Sequence, residues 1–335
     1  MHYPLKNNQL EIAIITRDRS SILREWLNRN LIDIKSNNIR LSVYDSSLND
    51  ETELLTKQFS DFNYNIYYKR LDYDYRIDDK VLDSILKSKC EYIWPISDSL
   101  APKFDLFLEK AFSFFEQKLD FIGVWNETVK EKEKIDYNTP YELFEDCFWH
   151  LTWLGGLIFR TDLFSSIQEV NEKNKYLSVF NRNDGFSYLG IFYNLIAKNN
   201  NIRAKIIAVE FNGFATAEKK KPAWVKRFYE VWCDNLCYLI DNLSIVYDPY
   251  KDKVVRSTWE FLHLDGFYWS CMARLNGGLN KSIFNKYFEN RLLDRVTNHK
   301  ERIKLIAFMP CFFSRLCILI GKCLNYVKTV LGYIK

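Results

Sequence analysis

The residues of this chain that could do chemistry gather where short apolar runs stop. The fullest case is Val43-Tyr44-Asp45-Ser46-Ser47-Leu48-Asn49-Asp50-Glu51-Thr52. Ile39, Leu41 and Val43 mark the apolar side of a strand over residues 39–44. An acid and two serines end it, and small polar residues then cap a helix expected over residues 52–59. A carboxylate at the carboxyl end of a strand can accept the imide N–H of a uracil ring, and Asp45 stands there. An ordinary capped strand-to-helix turn would use the same residues. Thr16-Arg17-Asp18-Arg19 closes a second run, residues 10–15, and Ser97-Asp98-Ser99 closes a third, residues 92–96. Asp98 is an oxygen ligand of the kind a hard divalent cation takes. It would equally cap the helix that begins near Lys103.

Two further stretches stand out. Trp149-His150-Leu151-Thr152-Trp153-Leu154-Gly155-Gly156 sets a glycine pair among aromatics ahead of a strand. Such a pair lets backbone approach a ligand closely. Its tryptophans suit either a sugar face or a core, and His150 either a ligand contact or a structural role. Asn181-Arg182-Asn183-Asp184-Gly185 opens a helix expected to run to about Ala197, with Asp184 placed where it could cap it.

The elements that must position these groups alternate. Strands are expected at residues 10–15, 39–44, 65–68, 92–96, 120–124 and 204–209. Amphipathic helices lie between them, including residues 77–88 and 104–117. That alternation argues for a mostly parallel sheet flanked by helices, with the strand ends along one edge. The acidic run at residues 72–79 joins the same edge.

Here the chain resembles glycosyltransferase family 2. Asp45, Ser47, Asp50 and Thr52 fall on matching places of the family's D-N-S-S-T-D-G-T loop. Ser46, Leu48, Asn49 and Glu51 depart from it. Thr16-Arg17-Asp18-Arg19 is similar to the family's T-[YR]-N-R, and Asp98 follows a Glu91-Tyr92-Ile93 strand where the family has its D-x-D motif. The resemblance covers roughly the first hundred residues. It implies a GT-A (Rossmann-like) fold and an inverting transfer from a nucleotide sugar, most readily a UDP-sugar. Thr16, Arg17, Asp18, Arg19, Asp45 and Ser47 would hold the nucleotide. Asp98 would hold Mn²⁺ or Mg²⁺, although Ser97-Asp98-Ser99 supplies one carboxylate where the family has two. Trp149, His150, Trp153, Gly155 and Gly156 would line the donor or acceptor sugar. Asp184 would take the proton of the acceptor hydroxyl, with Asp146 and Glu145 as alternatives. The missing second carboxylate also motivates a non-catalytic partner subunit of the same fold. A nucleotidyltransferase finds less support, because there is no basic glycine-rich phosphate loop near the N-terminus.

At 335 residues, 47% hydrophobic and 16% aromatic, the chain has the composition of a globular protein. Domains are expected at residues 1–215 (catalytic) and 216–335 (mainly helical). A net charge of +4 is too small to argue for nucleic acid. The eight cysteines show no disulfide or metal spacing and read as reduced thiols of a cytosolic protein. In the last third, helices are expected over residues 222–243 and 254–276. A basic aromatic segment spans residues 219–228. Residues 303–320 are strongly apolar but interrupted by Pro310 and Arg315, and lysines flank them. This composition suits a membrane-interface helix within residues 303–330, or else a buried terminal helix. The expected acceptor is accordingly a lipid-linked or surface glycan at the inner face of the cytoplasmic membrane, with a homo- or hetero-oligomer open.

Overall fold

The computed structural model describes residues 5–61, 64–126, 136–167, 178–180, 186–198, 201–213, 223–289 and 292–320. The chain forms two compact units: Met1–Lys219 with Asn242–Tyr247, and Lys220–Asp241 with Asp248–Lys335.

The first unit is built on an eight-stranded sheet. β1 (Leu10–Thr16), β2 (Arg40–Asp45), β3 (Ile66–Arg70) and β4 (Tyr92–Ser97) alternate with α1 (Ser20–Ser36), α2 (Glu51–Asp61) and α3 (Ile77–Lys87). β5 (Leu100–Pro102) and α4 (Phe104–Glu116) follow. Then come β6 (Phe121–Asn126), β7 (Asp136–Tyr137), α5 (Pro140–Leu151), β8 (Leu157–Arg160), α6 (Ser187–Ile196), β9 (Ala204–Val209) and β10 (Phe211–Gly213). The strand order is β3-β2-β1-β4-β8-β6-β9-β7, with β5 and β10 paired in a separate ribbon. β1 to β4 pair in parallel, and so do β6 and β9; β8 and β7 run against their neighbours. β1 is buried along its whole length, as a strand covered by helices on both faces must be.

This order positions the site. The chain winds outward from β1 to β3 and returns on the other side of β1 as β4. The order in which strands are added therefore reverses between the parallel β1 and β4, which opens a crevice at their carboxyl ends. The register brings Thr16 beside Asp45 and Ile15 beside Ser97. Trp26 of α1 and Trp94 of β4 anchor the core beneath. Trp94 lies 4.5 Å from Phe107 between ring centroids, and Trp26 donates its indole N–H to the Leu100 carbonyl at 2.9 Å. A second aromatic group joins Phe144, Phe148, Tyr193 and Tyr247. The Tyr247 hydroxyl donates to the Tyr193 carbonyl at 2.8 Å, which fastens the 242–247 segment to this unit.

The second unit is helical and differs in detail from the expected elements. The single helix expected at residues 222–243 is a 3₁₀ turn (Ala223–Arg227), a π turn (Glu230–Asn235) and a short α-helix (Leu236–Asp241). The π turn carries Trp232, whose carbonyl accepts the Trp259 indole N–H at 2.8 Å. The helix expected at residues 254–276 is two, Lys251–Phe261 and Phe267–Leu275. They are parted where His263 adopts φ +52. The apolar run near the C-terminus is also two helices, Lys300–Phe308 and Cys311–Ile320, bent by 120°. Pro310 removes a helical N–H, and Met309 before it is extended, as a residue preceding proline tends to be. None of the seven described cysteines forms a disulfide with another described residue.

Candidate functional site

At the crevice, Asp98 sits just past the end of β4 with no exposed surface. The Thr16 hydroxyl donates to its Oδ2 at 2.6 Å. Arg19 Nη1 lies 2.8 Å from its Oδ1, and Ser97 Oγ is 3.4 Å from the same oxygen. Burial pushes the Asp98 carboxyl up from its ordinary value, while Arg19, Thr16, Ser97 and Lys80 hold it down. Lys80, on α3, is 1% exposed and donates from Nζ to the Thr16 carbonyl at 2.9 Å. Burial, with the nearby Arg17 charge, lowers its pKa to about 8; Asp45, Asp98 and Asp18 oppose that shift.

The two loops beside it are stitched together. Asp45 Oδ1 accepts from the Ser47 backbone N–H at 2.9 Å and from its hydroxyl at 2.5 Å. Its Oδ2 accepts from the Tyr68 hydroxyl at 3.0 Å. The Asp18 N–H donates to Ser47 Oγ at 2.7 Å, and the Leu48 N–H returns a bond to Asp18 Oδ1 at 3.1 Å. Asp18 takes φ +53, a left-handed conformation that Asp tolerates better than most residues. Arg70, at the end of β3, pairs with Asp50 and donates to the Leu48 and Asn49 carbonyls at 3.1 Å each. Asp45 is wholly buried, so it organises the loop from inside. Arg17 and Asp18 are the exposed groups at the edge. The Arg17 guanidinium sits over the Tyr73 ring, 5.4 Å from its centroid.

The aromatic–glycine segment is largely wall. Trp149 and His150 close α5 and are buried. His150 Nε2 is 2.8 Å from the Val124 carbonyl, and both rings lie against Trp125. Trp153 is half-buried, edge-on to Phe211 at 5.0 Å. Gly155 has φ +114, and its carbonyl accepts the Trp94 indole N–H at 2.8 Å. A Cβ on Gly156 would lie 3.2 Å from the carbonyl oxygens of His150 and Trp153. The glycines thus serve the turn, and Trp153 alone of the three rings keeps a partly open face. Asp184 lies outside the described residues. Of its alternatives, Asp146 is half-buried and hydrogen-bonded by the Tyr137 phenol; Glu145 is half-buried.

No protein-family model matches the sequence, and no curated protein matches it. Solved structures do match in three dimensions. S. aureus TarS 1–349, a GT-A-like glycosyltransferase, superposes with a TM-score of 0.53 at 12% identity, over 88% of this chain and 90% of that one. The same protein in complex with UDP-GlcNAc gives 0.51 at 11% identity, with the same coverage. The mannosyltransferase PcManGT from Pyrobaculum calidifontis, in complex with GDP-Man and Mn²⁺, gives 0.50 at 11% identity over 92% of this chain and 88% of that one. The chain has a GT-A-like glycosyltransferase fold.

A GT-A site is expected to hold a divalent ion, and the donor set here does not fit one. Mn²⁺ and Mg²⁺ require several oxygen ligands, yet among the described residues no three His, Cys, Asp or Glu side chains converge. Asp98 is occluded, and both its oxygens are engaged by Thr16 and Arg19. An ion there would also face the Arg19 guanidinium. Unit charges 4 Å apart interact by about 4 kcal/mol at an effective dielectric of 20, and a divalent ion by roughly twice that. The Ser97 and Ser99 hydroxyls bond to each other at 2.8 Å. Asp98, the carboxylate expected to hold the ion, is here ion-paired with Arg19. The sequence reading missed Lys80, Tyr68 and Arg70. A lysine among Val81, Leu82, Ser84 and Ile85, on the buried side of α3, was the available signal for Lys80.

Proposed function

We propose that this protein is an inverting glycosyltransferase that moves a sugar from a nucleotide sugar, a UDP-sugar first, to a hydroxyl of a lipid-linked or cell-surface glycan. The observation that carries the reading is the convergence of Thr16, Asp45 and Asp98 at the carboxyl ends of β1, β2 and β4, around the strand-order reversal. That is where open α/β sheets take nucleotides. The GT-A neighbours in complex with UDP-GlcNAc and with GDP-Man support the same class of donor. In the transfer, the acceptor oxygen bonds to the anomeric carbon as the bond to the nucleoside diphosphate breaks on the opposite side. The acceptor proton goes to a carboxylate, Asp184 in this reading, or else Asp146 or Glu145.

The second unit is the part we assign to the membrane surface. Leu305, Phe308, Phe312, Phe313, Leu316, Leu319 and Ile320 are exposed on the two terminal helices. Among the described residues no single helix is long and apolar enough to cross a bilayer. Exposed apolar side chains beside Lys304 and Arg315 suit the interface of the inner leaflet.

The donor assignment is tested by a thermal-shift screen of the full chain against UDP-, GDP- and dTDP-sugars. A ligand at a hundred times its Kd adds about 2.7 kcal/mol, which for a unit of this size raises Tm by about 5 °C or more. Absence of a shift with every nucleotide would contradict the reading. A non-catalytic partner subunit is the second reading, favoured by the occluded Asp98. Sugar transfer by the purified chain alone would exclude it.

A further inference from the structure

A nucleoside diphosphate carries its charge on the pyrophosphate, and a site that binds it must neutralise that charge. We propose that here Arg17, Arg19 and Lys80 neutralise it in place of a divalent ion. The inference rests on the nucleotide-sugar reading above.

Three observations support it. First, Arg19 leaves donors to spare. Asp98 is the only partner of its side chain among the described residues, through Nη1, and the side chain is 38% exposed. The rest of its planar N–H fork matches phosphate oxygens in geometry. Second, Lys80 is a buried ammonium with one acceptor among the described residues, the Thr16 carbonyl. An ammonium has three N–H donors, and leaving buried donors unmet is costly. Its remaining donors can meet the oxygens of an anion. Third, the carboxylates are already in use. Asp98 is paired with Arg19 and Thr16, Asp45 with Ser47 and Tyr68, and Asp18 with the Leu48 N–H. Of the three cations, only Arg19 forms an ion pair with one of these acids among the described residues. Arg17, exposed and braced over Tyr73, stands at the rim where the anion would enter.

The test is calorimetric titration of the full chain with UDP, GDP and UMP, in EDTA and in Mn²⁺. The expected result is a UDP Kd in EDTA within about twofold of that in Mn²⁺. UMP, which lacks the second phosphate, should bind more weakly in both. Replacing Arg19 alone would strand a buried carboxylate, so the variant is Arg19→Met with Asp98→Asn. It should lose about tenfold in UDP affinity and much less in UMP affinity. If it does not fold, Arg17→Ala at the exposed rim carries the same comparison, with a loss for UDP larger than for UMP. UDP binding that disappears in EDTA and returns with Mn²⁺ overturns the inference and leaves the transferase reading standing. Unchanged UDP affinity in the variants overturns it too. Failure of UDP and GDP to bind under either condition overturns the transferase reading with it.

Discussion

At the scale of single residues, the site is a cluster of charged groups whose buried cation is Lys80. Its pKa of about 8 lies below the ordinary 10.5 of a lysine. Between those values the unfolded chain holds a proton that the folded chain has released. The free energy of unfolding should therefore rise with pH across that window through this group. Denaturant titrations at pH 7.5 and 9.5 should show that gain in the wild type and lose it in Lys80→Met; equal pH responses would contradict the assignment. A general base typically contributes about 10²–10⁴-fold, so Asp184→Asn should lower kcat by that order with UDP affinity intact. Near-normal turnover would move the role to Asp146 or Glu145. Much of this cluster was legible: Thr16, Asp18, Asp45 and Asp98 stand at strand ends in the sequence. Their partners were not, because Lys80, Tyr68 and Arg70 reach the crevice only through the packing of α3 and the register of β3.

At the scale of elements, the first four strands and the helices between them follow from alternating apolar runs and lie within a few residues of expectation. The apolar pattern could not show that β8 enters the sheet antiparallel between β4 and β6. Nor could it show the three-residue strands β5 and β10, too short to carry a period. The helix breaks in the second unit were misread because backbone sterics, not apolar periodicity, place them. Gly266 shows this. A Cβ there would lie 2.7 Å from the His263 carbonyl oxygen, beside the left-handed His263. Gly266→Ala should thus destabilise the second unit by about 1–3 kcal/mol. The check is a lower unfolding midpoint in urea at unchanged m-value. An unchanged midpoint would show that the turn relaxes freely.

At the scale of the whole molecule, the terminal helices separate two jobs. Ile303, Ile306 and Ala307 are buried, so Lys300–Phe308 belongs to the core of its unit. The helix Cys311–Ile320 has most of its apolar side chains exposed. A chain ending at Met309 should accordingly keep nucleotide binding by the first unit and co-sediment more weakly with anionic vesicles, with Leu305 and Phe308 still exposed. Equal sedimentation of full and shortened chains would remove the membrane assignment. The apolar composition of this segment was plain in the sequence. So was the interruption at Pro310; that it divides buried from exposed apolar surface was not.

The position of the bound nucleotide decides the proposed function. A crystal structure of the full chain with UDP measures this directly. The expected result is a diphosphate at the carboxyl ends of β1 and β4, with oxygens on the Arg19 guanidinium, and the base against the loop that Asp45 and Ser47 hold. A nucleotide bound anywhere else, or with its diphosphate out of reach of Arg17, Arg19 and Lys80, would contradict it.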